Sequence, residues 1–284
     1  MGNAGPPRFR PGSGNACPDR VVCAGVQLTH VTAAGGGRLA VREAGPPGAP
    51  PVVLIHGWAQ TGAVWGLSGI HLPGFRTCAV DLRGHGESDD FGDYRDSARW
   101  AADLDAVLAR TGPATVVGWS YGGLVIADYL RFHGTARITA LVLVGAITEI
   151  GRGRPGGEIG PVMRAALPAA ITDDAALAEF CRAMAPALPA GTVGDLTASA
   201  ATVSHRVRGE LFRRDVGSAD VLTAVDVPTL VVHGTRDEVV APAAAEYSAA
   251  LIPGAELSLY PDTAHAPFLE RPARFAADLR RVAG

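Results

Sequence analysis

The chain has 284 residues, 48% of them hydrophobic and 19% charged, which excludes wholesale disorder and leaves room for one elaborated domain or two modest ones. A formal net charge of −3 gives no electrostatic reason to expect a nucleic-acid or anionic-membrane partner. All 25 basic residues are arginine, so chemistry that depends on a lysine, such as a Schiff base, is unavailable.

Met1 to Arg20 are rich in Gly, Pro and Asn and lack the apolar stretch of a signal peptide, so residues 1–20 are expected to form a flexible tail. Cys17, Cys23, Cys78 and Cys181 include no C-x-x-C pair. They fit isolated thiols in a reducing compartment better than a zinc site or a disulfide framework. No apolar run approaches the length of a membrane span, and a cytoplasmic protein without a membrane partner is expected.

Val21 to Val31 and Arg38 to Glu43 flank Gly35-Gly36-Gly37 as an opening hairpin. Short apolar runs then recur at Val52–Ile55, Cys78–Val80, Thr115–Val117, Ile138–Val144, Leu230–Val232 and Leu257–Tyr260. Such runs suit strands buried on both faces of a parallel sheet. Between them lie helical stretches at Ala98–Arg110, Tyr121–His133, Pro242–Leu251 and from Pro267 to the end. This alternation predicts an α/β fold with about eight mostly parallel strands and helices on both faces. From Thr148 to Val216 no strand-like run occurs, only helical pieces such as Asp174–Ala183 and Thr202–Phe212. That stretch is too long for a structureless loop, so an inserted helical cap over residues 148–216 is expected. It would divide a core of residues 21–147 and 217–284.

Gly118-Trp119-Ser120-Tyr121-Gly122 lies between a buried strand and an apolar helix. A serine on such a turn exposes its hydroxyl at the carboxyl edge of the sheet, and the flanking glycines relieve backbone crowding. The hydroxyl needs a base, and the base an orienting acid, following in the order Ser, acid, His. Asp237 follows the strand Leu230–Val232, and His265 follows the strand Leu257–Tyr260 28 residues later. Glu149, after the strand Ile138–Val144, is the rival acid. Upstream, His56-Gly57-Trp58 closes another strand, so the Trp58 and Tyr121 backbone N–H groups are candidate oxyanion donors. The side chains of Trp58, Trp119 and Tyr121 are candidate substrate-lining groups.

With these motifs, residues 21–284 resemble the α/β-hydrolase fold superfamily. The resemblance rests on His56-Gly57, Asp81-Leu82-Arg83-Gly84-His85-Gly86-Glu87-Ser88, the Ser120 turn, the Gly234–Asp237 turn and the His265 segment. Trp58 after His56-Gly57 is similar to the branch of cofactor-free haloperoxidases, aryl esterases and the pimeloyl-ester carboxylesterase. The resemblance implies that the Trp58 N–H serves the oxyanion and that its ring lines the acyl pocket. It further implies a serine nucleophile, an acyl-enzyme, and neither cofactor nor metal.

Two other patterns lead elsewhere. Gly151, Gly153 and Gly156 fit G-x-G-x-x-G with Asp173 downstream, but Ala-rich helix surrounds that acid where a dinucleotide site needs a strand end. Asp81 and His85 are four apart without a facing ligand cluster. His30, His71, His133, His205 and His233 show no partner pattern, and His56 and His85 read as structural.

The expected activity is hydrolysis of a carboxylic ester with an apolar or aromatic small-molecule acyl group. One alternative is an acyltransferase, thioesterase or lactone-forming enzyme using the same three residues, with a thioester as substrate in place of an ester. Another is a ligand-binding receptor on a hydrolase scaffold. The sequence leaves the oligomeric state open.

Overall fold

The structure is a computed structural model that describes residues 25–67 and 72–284. The expected tail, Cys17, Cys23, the start of the first expected strand (Val21 to Ala24) and His71 lie outside the described residues.

A hairpin opens the fold, β1 (Gln27–Thr32) running antiparallel to β2 (Arg38–Ala44). Then come β3 (Pro51–Ile55), the single turn α1 (Val64–Leu67), β4 (Arg76–Val80), α2 (Ser97–Thr111), β5 (Ala114–Trp119), α3 (Tyr121–His133) and β6 (Ile138–Val144). The helices α4 (Pro161–Ala170), α5 (Asp174–Ala183), α6 (Ala190–Ala201), α7 (His205–Glu210) and the turn α8 (Ala219–Leu222) precede β7 (Thr229–Gly234). The chain closes with α9 (Pro242–Leu251), β8 (Glu256–Tyr260), α10 (Pro267–Glu270) and α11 (Pro272–Ala283).

The eight strands form one sheet in the order β1-β2-β4-β3-β5-β6-β7-β8. Only the β1–β2 and β2–β4 pairings are antiparallel; β4-β3-β5-β6-β7-β8 is parallel throughout. Every residue of β5 and of β7 is buried, as is Val52–Ile55 of β3. Strands buried at successive positions must be covered on both faces, which is why they read as unbroken apolar runs rather than as alternation. Helix α2 starts where the Asp96 side chain accepts the Ala98 N–H and ends at Gly112. Its apolar residues Trp100, Leu104, Val107 and Leu108 recur at helical spacing and are all buried.

Three sequence expectations are redrawn. The terminal helix is broken: Arg271 sits at φ −135, ψ 55, between α10 and α11. Pro272 disfavours a helical residue before it and supplies no N–H, so the chain restarts there. The expected helix over Thr202–Phe212 contracts to α7, because Ser204 is extended and its hydroxyl accepts the Val207 N–H as an N-cap. Among the described residues the first strand begins at Gln27, with Gly25 and Val26 outside it.

Between β6 and β7 the described chain forms no strand. Its ends are pinched together by the Ile150–Val216 backbone bridge and by Arg154–Asp215 at 2.8 Å.

Candidate active site

Parallel strands put their carboxyl ends on one edge, where open α/β sheets carry their sites. At that edge of β5, Ser120 has φ 54 and ψ −118, a conformation costly for a residue with a side chain. The neighbours that hold it are backbone: the Ser120 N–H donates to Val144 O, and its carbonyl accepts from Gly123 and Ile147. Crowding explains the glycines. A Cβ at Gly118 would stand 2.8 Å from the Gly122 carbonyl group, and one at Gly122 would stand 2.6 Å from Ile55 O. The loop after β3 abuts the same turn, since a Cβ at Gly57 would come within 2.9 Å of the Ser120 Cβ. Trp58 follows directly, and the Tyr121 N–H opens α3, where first-turn N–H groups have no partner within the helix.

After β7 and β8, Asp237 and His265 meet: His265 Nδ1 lies 2.8 Å from Asp237 Oδ2, both buried. Gly145, with φ 49 at the end of β6, lets them close, because a Cβ there would lie 3.3 Å from both Asp237 Oδ2 and His265 Nδ1. Asp237 Oδ1 accepts the Val239 and Val240 N–H groups. Burial alone would raise the Asp237 pKa, but the facing His265 and His233 rings hold it well below the usual carboxylate range. With Asp237 accepting from Nδ1–H, the His265 Nε2 lone pair is left to take a proton.

Trp119 is buried behind His265: its Nε1–H donates to the His265 carbonyl at 2.9 Å, and its ring lies 5.5 Å from the imidazole. Phe268 meets that ring edge-on at 5.0 Å. Trp58 instead faces the helical segment, its ring edge-on to Phe180 and Phe212, each at 5.5 Å, and its Nε1–H donating to Arg208 O. The Tyr121 hydroxyl donates to Leu211 O and accepts from Arg214, whose guanidinium also pairs with Asp128 at 2.6 Å with both partners fully buried. Met184 O accepts the His265 N–H. The helical segment thus touches Trp58, Tyr121 and His265 through its own backbone carbonyls.

Glu149 is buried but turned to other work. Its two oxygens accept the N–H groups of Gly156 and Ser218, stapling the two ends of the segment. Asp173 caps α5 by accepting the Ala176 N–H. Asp81 accepts from Gly62, Glu87 and Arg42. His56 Nε2 accepts the Leu82 N–H. The site neighbour that sequence reading passed over is His233, whose Nε2 stands 3.2 Å from Asp237 Oδ2. Its spacing of four residues from Asp237 was the available signal.

An eight-stranded sheet of this order, with a serine on the strand-to-helix turn at its centre, has the architecture of an α/β-hydrolase enzyme. The chain belongs to that family: residues 52–278 match the family model described as "Alpha/beta hydrolase family". Among solved structures it resembles an esterase from Rhodococcus sp. ECU1013, at 41% identity and a TM-score of 0.85, over 89% of this chain and 97% of that one. It is 31% identical to a non-heme haloperoxidase of Rhodococcus erythropolis over 84% of this chain and 93% of the relative. It is 28% identical to a pimeloyl-[acyl-carrier protein] methyl ester esterase of Vibrio campbellii, over 82% of this chain and 94% of the relative.

Proposed function

We propose that the protein hydrolyses carboxylic esters of apolar or aromatic small molecules through an acyl-enzyme on Ser120. The observation that carries this reading is the 2.8 Å contact of His265 with Asp237, on the same sheet edge as the strained Ser120 turn. The esterases and the methyl ester esterase among its relatives point to the same reaction class.

Ser120 Oγ attacks the acyl carbon as His265 Nε2 removes its proton, and Asp237 holds the imidazole tautomer and faces the imidazolium that forms. The Trp58 and Tyr121 N–H groups receive the oxyanion. The imidazolium then protonates the leaving alcohol, and water, deprotonated in turn by His265, releases the acid. The segment over residues 148–216 acts as a cap, and Trp58 with Phe180 and Phe212 forms the apolar wall on the acyl side.

The test is turnover across p-nitrophenyl and aryl esters of graded acyl length, with Ser120→Ala in parallel. Hydrolysis by the parent and its loss in the variant are expected. Equal rates for the two, or no turnover of any ester, would overturn the reading.

A further inference from the structure

His233 is the fifth residue of β7, fully buried, and its Nε2 has two acceptors within reach: Val240 O at 3.0 Å and Asp237 Oδ2 at 3.2 Å. Its Nδ1 is buried without a partner. Two acceptors at Nε2 and none at Nδ1 make the Nε2–H the donor that the ring offers.

From this geometry we infer that His233 is a positioning residue for the acid, a second imidazole that holds the same Asp237 oxygen as His265. This rests on the reading of Asp237 and His265 proposed above. Each Asp237 oxygen then has two polar partners, the His233 Nε2–H being shared between Oδ2 and Val240 O. Oδ1 takes the Val239 and Val240 N–H groups, and Oδ2 takes His265 Nδ1 and His233 Nε2. Val240 joins the two halves, because its N–H holds Oδ1 while its carbonyl holds the His233 ring. Rotation of the carboxylate would break several of these contacts together, so Oδ2 stays aimed at His265. His233 touches neither substrate nor reacting atoms; it acts through Asp237.

The experiment compares three full-length variants on one p-nitrophenyl ester, measuring kcat and KM separately, with thermal unfolding as the control for folding. His233→Leu fills the volume without a donor. His233→Asn keeps a polar side chain but carries its N–H too short to reach Oδ2. His233→Gln returns an N–H near the Nε2 position.

The expected result is a kcat lower by roughly tenfold to a hundredfold in the leucine and asparagine variants, with KM within about threefold. That is the scale seen when outer partners of ligating histidines are removed, and well short of the ~10⁴-fold loss of an orienting acid. Glutamine should recover most of the loss. If the leucine variant does not fold, the asparagine–glutamine pair decides alone. Unchanged kcat, equal losses in glutamine and asparagine, or a rise in KM as large as the fall in kcat would overturn the inference. Should the parent hydrolyse the ester and Ser120→Ala not, such a result removes the role of His233 alone. An inactive parent removes the proposed function and this role with it.

Discussion

The strand ends of β6 and β7 are neighbours in the sheet, and each is followed by a buried carboxylate with opposite employment. Asp237 accepts from two backbone N–H groups and faces two imidazoles, so one of its oxygens is committed to groups that can move protons. Glu149 accepts the backbone N–H groups of Gly156 and Ser218, where the helical segment leaves and rejoins the sheet, and also meets the Tyr247 side chain. Depth of burial does not separate the two. What separates them is the partner: Asp237 meets the His265 imidazole, whereas Glu149 meets the Gly156 and Ser218 N–H groups and Tyr247, which supports Asp237 as the acid and Glu149 as a fastener of the helical segment.

Substitutions at the two carboxylates bear directly on this contrast. Asp237→Asn should leave the fold intact and lower kcat by about 10⁴-fold, the scale of a wrong imidazole tautomer in a serine triad. Glu149→Gln should keep kcat within a few-fold. A glutamine places an NH₂ against one of the two backbone donors, so a stability loss of about 1–3 kcal/mol by urea unfolding is expected instead. A collapse of kcat in Glu149→Gln with a mild effect in Asp237→Asn would exchange the two assignments.

The helical segment between β6 and β7 is tied to α3 by charge as well. Asp128→Leu would leave Arg214 buried without its counter-ion, a change expected to cost about 3–5 kcal/mol of stability. Chemical denaturation of the variant checks this, and a loss below about 1 kcal/mol would mean that water reaches the guanidinium.

A smaller effect follows from the histidines of the β3 and β4 loops. Burial, then repulsion from His85, lowers the His56 pKa to about 3. Burial lowers that of His85 to about 4. An unfolded imidazole titrates near 6.5, so above that value neither state binds the protons and nothing is lost. As pH falls from about 6.5 towards 4, the unfolded chain takes up protons that the folded chain refuses. Stability should fall by up to about 1.4 kcal/mol per pH unit for each ring. Urea midpoints at pH 7.5 and 5.5 measure it, and equal midpoints would contradict the buried neutral state.

Where sequence and structure agree, the reason is local. Ser120 announces itself because a strand, a glycine-flanked turn and a helix are contiguous, and the bounds of α3 and α9 coincide with their apolar stretches. His233 was hard to read because its four-residue spacing from Asp237 becomes a contact only through the way the loop after β7 folds back. Helices α4 and α6 fall inside the expected helical stretch, but their bounds were not legible. Pro168 lies inside α4, while Gly191 and Gly194 lie in α6, so intrinsic propensity is weak in both. What holds α6 is packing and contacts such as Gln60 Nε2 to Leu196 O and Thr61 Oγ1 to Ser199 Oγ, which only the fold brings together.

The most direct measurement is reaction with a fluorophosphonate, followed by intact mass and peptide mapping. A serine with a base behind it is the only hydroxyl expected to react. One adduct on the peptide bearing Ser120, absent in Ser120→Ala and formed far more slowly in Asp237→Asn, is the expected result. Labelling that persists in Ser120→Ala, or a parent protein that takes no label while folded, would contradict Ser120 as the nucleophile.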